Sequence, residues 1–121
     1  MFHQIILIGR LGRDVEGKYT PNGKFVAEFS LASDIGFGDK KKTLWTRIVA
    51  WEKTGEACNN YLKKGSRAMI IGTLNPDESG SPRIWTRQDG TPATSFEVTA
   101  STVRFLDSRG VEQVEDSEIT F

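Results

Sequence analysis

The chain has 121 residues, 37% hydrophobic and 26% charged, with 16 basic and 16 acidic side chains and so no net charge. That length supports one modest core, no apolar run approaches the roughly 20 residues of a membrane helix, and the start MFHQIILIG lacks the basic opening and cleavage pattern of a signal peptide. One cysteine (Cys58) excludes an intrachain disulfide, and one histidine (His3) beside it excludes a structural zinc site needing about four N/S ligands; a reducing cytosol is the expected compartment.

Phe2–Leu11 is an Ile/Leu-rich run closed by Gly9 and Gly12 and predicts a buried strand. Tyr19–Gly23 (YTPNG) is a turn, and Phe25–Ser33 alternates as a second strand. Asp34–Thr43 (DIGFGDKKKT) reads as a mobile loop and Leu44–Trp51 as a third strand. Glu52–Lys64 is the one good helix, with Lys63 and Lys64 in a basic last turn and Gly65 as C-cap. Arg67–Leu74 is a fourth strand, Asn75–Pro82 a loop and Arg83–Arg87 a short strand turned at Asp89-Gly90 into another. Phe96–Leu106 is the last strand. Two regions follow, a domain over 1–106 and a short acidic tail over 107–121. The tail holds five acids and one base, which leaves 15 bases and 11 acids in the body. A mildly basic body attracts a polyanion, and the tail competes with one.

The expected fold class is all-β. Strands followed by one helix and more strands suit a five-stranded Greek-key barrel of the OB type, with the helix between strands 3 and 4 and a β-hairpin extension.

Strand periodicity points to a site. In Leu44–Trp51 one face carries Leu44, Thr46, Ile48 and Ala50, while the other carries Trp45, Arg47, Val49 and Trp51. In Arg83–Arg87 one face carries Arg83, Trp85 and Arg87. All three tryptophans thus share faces with guanidinium groups. The plain alternative is tryptophan in the core with incidental arginines, but Leu44, Ile48 and Ala50 already supply a core face. The chemical reading is a platform on which unpaired bases stack beside cations that meet their phosphates. Lys40, Lys41 and Lys42 read alone as a solubility patch and, beside such a face, as phosphate contacts. Lys18, Lys24, Lys53, Lys63, Lys64 and Arg67 could extend the basic track.

The strings IILIGRLGRDVEGKYTPNGKFVAEFSLA, LWTRIVAWEKTGEACNNYLKKGS and RIWTRQDG closely resemble the bacterial single-stranded DNA-binding protein family over residues 2–106. The resemblance implies an OB barrel, a homotetramer, sequence-nonspecific binding of single-stranded DNA during replication, recombination and repair, no catalysis and no cofactor. It matches Trp45, Trp51 and Trp85 to base-stacking aromatics and Phe37 loosely to another. Arg10, Lys18, Arg47, Lys53, Lys63, Lys64 and Arg83 fall where the family contacts phosphates. At the tail, Glu115, Asp116, Glu118, Ile119 and Phe121 resemble the family's acidic tip, which docks DNA replication and repair proteins. It implies a cytoplasmic, nucleoid-associated protein with no membrane partner.

Three departures stand out: Thr46 where histidine is frequent, the turn-rich Asn75–Pro82 segment, and Thr120 in place of proline. An RNA-binding or primosome-type OB protein, or a protein-interaction adaptor, is the alternative. The enzyme class is poorest, because no Cys/His or Ser/His/Asp pair, metal cluster or phosphate loop stands out.

Overall fold

The computed structural model describes residues 1–107; the tip residues Glu115, Asp116, Glu118, Ile119 and Phe121 lie outside the described residues. The elements are β1 (Ile5–Leu11), β2 (Glu16–Tyr19), β3 (Phe25–Ile35), β4 (Lys42–Trp51), α1 (Glu52–Tyr61), β5 (Arg67–Leu74), β6 (Arg83–Thr86) and β7 (Pro92–Phe105). A single 3-10 turn, Gly38–Lys40, sits between β3 and β4.

Alternation drives the architecture. Phe25, Ala27, Phe29 and Leu31 of β3 point inward with Ile48 and Ala50 of β4, Ala68 and Ile70 of β5, and Val98 and Ala100 of β7. Leu31, Ile48, Ile70 and Val98 are completely enclosed, and each contributes about 1.5–3 kcal/mol through removal from water.

The strands run β1-β5-β7-β4-β3, and pairing of Arg10 with Ala32 and Leu11 with Leu31 brings β3 back to β1. Every pair is antiparallel except β4 with β7, which run parallel from Thr46↔Phe96 to Val49↔Thr99. Parallel neighbours need a long crossover, which α1, β5 and the hairpin supply. The result is the anticipated five-stranded barrel, with α1 between its third and fourth strands (β4 and β5). Among the described residues, two strands lie outside it. β2 flanks β3, and β6 pairs with the first residues of β7 to form the hairpin extension.

Several boundaries differ from the sequence reading. α1 ends at Tyr61, not Lys64, because Leu62 leaves helical geometry to bury its side chain in the core. Lys63, Lys64 and Gly65 then form a turn. Ser66 Oγ accepts from the Lys63 N–H, Asp14 Oδ1 accepts from the Lys64 N–H, and the Gly65 N–H donates to the Leu11 carbonyl. Gly65 is therefore a turn residue at φ +88° and not a helix cap. The Tyr19–Gly23 turn is present, but it joins a hairpin whose first strand, Glu-Gly-Lys-Tyr, is fully exposed and carries no apolar pattern. The last two strand segments are one continuous β7, and the β3–β4 loop is shorter than expected because β3 reaches Ile35 and β4 begins at Lys42.

Candidate nucleic-acid interface

Along β4, Thr46, Ile48 and Ala50 are buried, while Trp45 and Trp51 are 55% and 41% exposed. Val49 shares their face yet is buried, flanked in register by Glu28 of β3 and Thr99 of β7.

Register arranges this outward face into rows. Arg10, Ala32 and Trp45 form one, and Ser30, Arg47 and Glu97 the next. At the far end, Lys18, Val26 and Trp51 form another. Trp45 and Trp51 lie six residues apart on one strand, a separation of about 20 Å.

The hairpin brings the third tryptophan over. Arg83 pairs with Ser95 and Trp85 with Ala93, so both point to the side of β7 that carries Glu97. Trp45, Arg47, Arg83 and Trp85 consequently line one groove of about 930 Å³. Trp85 is half exposed, and the Arg87 guanidinium lies 6.0 Å from its ring centre, within cation–π reach. Arg47 is ion-paired to Glu28 and lies 3.7 Å from Glu97, while Arg83 lies 3.5 Å from the same Glu97.

Other predicted residues sit elsewhere. Phe37, 90% exposed, Lys40 and Lys41 occupy the β3–β4 loop, Lys42 opens β4, and Lys41 is paired with Asp34 at 3.4 Å. Lys18 lies on β2 beside the Trp51 row. Lys53, on α1, borders a shallow depression shared with Arg104 at the end of β7. Lys63 and Lys64 are in the turn after α1. Arg10 donates to the Gly65 carbonyl at 3.2 Å. The Arg67 side chain and backbone N–H are both held by Asp107. Burial pushes the Asp107 carboxyl up, but these hydrogen bonds and the Arg67 charge outweigh it and hold it below the ordinary range.

Most other groove residues escaped the sequence reading, among them Arg13, Ile84, Phe96 and the acids Glu28 and Glu97. Arg13 follows β1 in a loop, where periodicity gives no direction. Phe96 shares the pleat of buried Val98 and so resembles a core residue, but it is 53% exposed. Ile84 lies on the opposite face of β6 from Trp85, so alternation sets it apart from the platform, but β6 is exposed along its whole length and Ile84 is 67% exposed.

The other reactive candidates are occupied. Cys58 is enclosed, and burial pushes its thiol up to about 12. His3 Nε2 accepts from the Leu74 N–H at 2.8 Å. Among the described residues, no group of three or more His, Cys, Asp or Glu is placed to hold a metal ion, and no helix is long and apolar enough to cross a membrane.

The sequence profile of the single-strand binding protein family matches residues 2–106. The chain belongs to that family. A single-stranded DNA-binding protein of Halalkalibacterium halodurans is 35% identical over 98% of this chain and 69% of its own length. One from Bacillus cereus is 38% identical over 90% of this chain and 62% of its own length. Among solved structures, a Plasmodium falciparum SSB complex with single-stranded DNA superposes with a TM-score of 0.71 at 31% identity, covering 88% of this chain and 97% of that one. The barrel is thus the OB fold of the single-strand binding family, with two further strands beside it.

Proposed function

We propose that the chain binds single-stranded DNA without reading its sequence. The carrying observation is one groove in which two half-exposed indoles, Trp45 and Trp85, stand beside two guanidinium groups, Arg47 and Arg83. Stacking is indifferent to base identity, because every base has a π-face, and it needs unpaired bases. Duplex bases already stack on one another and gain nothing there. The phosphates linking stacked bases meet Arg47, Arg83 and Arg13. Trp51 and Lys18, at the other end of the same face, extend the path beyond the groove. Phe37 with Lys40, Lys41 and Lys42 offers a ring and cations on the adjoining loop. Family membership supports the same reading, and the function it serves is protection of transient single strands in replication, recombination and repair.

Assembly into a homotetramer is part of this proposal. Ile6 and Ile8 of β1 are exposed, and across the pairing they meet Ile71 and Met69 of β5. Among the described residues, β1 pairs with β5 along Ile5–Arg10 but with β3 only at Arg10 and Leu11. Most of one β1 edge is therefore open beside an apolar face, a combination that proteins cover with another chain. Recruitment of replication and repair proteins is assigned to the acidic tip ending in Ile119 and Phe121, in a cytoplasmic, nucleoid-associated setting.

Titration of intrinsic tryptophan emission with oligo-dT tests the proposal. Quenching is expected with oligo-dT, weaker quenching with oligo-U and none with duplex of equal length. Affinity should fall with salt by about 0.7 log units per phosphate contact for each log unit of salt. Unchanged emission with oligo-dT, or equal binding of duplex, sinks it. Light scattering at the same concentrations gives the assembly mass, and deletion of 112–121 should leave DNA affinity equal or higher while abolishing partner capture.

A further inference from the structure

Glu97 connects the two walls of the groove. Its side chain is only 13% exposed, and a carboxylate taken out of water needs partners. It has three. Arg47 Nε of β4 lies 3.7 Å away, Arg83 Nε of β6 lies 3.5 Å away, and the Asn75 side-chain amide donates to its second oxygen. Backbone contacts close the same knot. The Asn75 N–H donates to the Glu97 carbonyl at 2.8 Å, and Arg83 Nε donates to the Asn75 carbonyl at 3.2 Å. The two arginine side chains stay 50% and 44% exposed above the carboxylate. A guanidinium has five N–H donors, so each arginine keeps donors for the groove after satisfying Glu97.

Resting on the single-stranded DNA reading, we infer that Glu97 is a positioning residue for nucleic-acid binding. It fixes Arg47 and Arg83 relative to each other. Through Arg83 and Asn75 it ties the hairpin that carries Trp85 to the barrel strand that carries Trp45. Backbone pairing of β6 and β4 with β7 brings the two stacking rings to one groove, and this acid adds the side-chain tie that holds their cationic partners in place. The Asn75–Pro82 segment acquires a purpose as well, since its first residue is one of the three ties.

Simple charge arithmetic predicts the opposite sign. An acid in a groove that receives a polyanion is repulsive, and its removal should strengthen binding. Glu97→Gln separates the two accounts, because it keeps the size and one acceptor oxygen and removes the charge. The expected result is about a tenfold loss of oligo-dT affinity, with the log–log salt slope falling by about 0.7 for each arginine released, while the melting curve keeps its cooperative form. Affinity equal to or above that of the unsubstituted protein, with an equal or steeper slope, overturns the inference. Asn75→Ala leaves every charge in place and should weaken binding about threefold. Should Glu97→Gln fail to fold, Asn75→Ala decides alone, and unchanged affinity in it overturns the inference. Failure of the unsubstituted protein to be quenched by oligo-dT is a separate result, which removes the DNA reading itself.

Discussion

Gly12 lies beneath the indole of Trp45 so closely that a Cβ added there would stand 2.7 Å from Cζ3 of the ring. The ring thus sits against backbone that has no side chain to offer. Gly12→Ala should push the indole off its seat while the core stays intact, since no buried core side chain is involved. Tryptophan emission of the free protein should shift, and oligo-dT affinity should fall by about 1 kcal/mol, near the lower bound for one stacked base. A variant with unchanged emission and affinity would show that the ring does not need this seat.

The two ends of the binding face should separate by length of ligand. Trp45→Ala or Trp85→Ala should cost about 1–3 kcal/mol of oligo-dT affinity at any length, with the far-UV strand signal retained. Trp51, about 20 Å along β4 from Trp45, should matter only for oligonucleotides long enough to leave the groove. Equal losses with the shortest and longest strands in Trp51→Ala would refute this division.

Acid should loosen the end of the barrel through Asp107. Its carboxyl is held below the ordinary range, with burial opposing and Arg67 hydrogen bonding and charge prevailing. A carboxyl depressed on folding adds stability above its unfolded pKa of roughly 3.9, and that stability is lost as pH falls through the folded value. Asp77 is depressed first by the Ser81 N–H and then by Ser79, and Asp89 by the Thr91 hydroxyl and N–H, so both act in the same direction from exposed turns. Thermal melts between about pH 7 and pH 3 should therefore show falling stability, with a shallower fall in Asp107→Asn. Identical slopes for the two proteins would remove the Arg67–Asp107 pair from the account.

Cys58 should be silent toward thiol reagents in the folded protein. It is enclosed, and its thiol is pushed up to about 12 by burial, which leaves almost no thiolate at pH 8. Labelling with a chromogenic disulfide should wait for denaturant and track unfolding seen by circular dichroism. Rapid stoichiometric labelling under native conditions would contradict the packing around α1.

The barrel was legible in the sequence where one face of a strand is buried and the other wet. Thr46, Ile48 and Ala50 against Trp45, Arg47 and Trp51 separate on alternation alone. Arg83 and Trp85 share a face by the same alternation, but β6 is exposed along its whole length, so no buried face there marks the groove. β2 could not, because Glu16–Tyr19 is exposed throughout and has no apolar alternation, only Tyr19 set edge-on against Phe25. Leu62 shows a second limit, since a helix propensity that runs on to Lys64 yields to tertiary burial of one leucine. Phe96 shows a third. Its pleat says interior, but register with Thr46 decides how far along the barrel it falls. The ties among Glu28, Arg47, Glu97 and Arg83 join four strands distant in sequence, and nothing local announces them.

β7 is the last strand among the described residues, and it pairs with β4, β5 and β6. While a ribosome is still holding residues 92–105, β4 and β5 each have an edge waiting for it, and the parallel register that seals the barrel does not yet exist. Chains cut short before Pro92 will present those open edges to one another and should go to inclusion bodies in place of half-folded monomers.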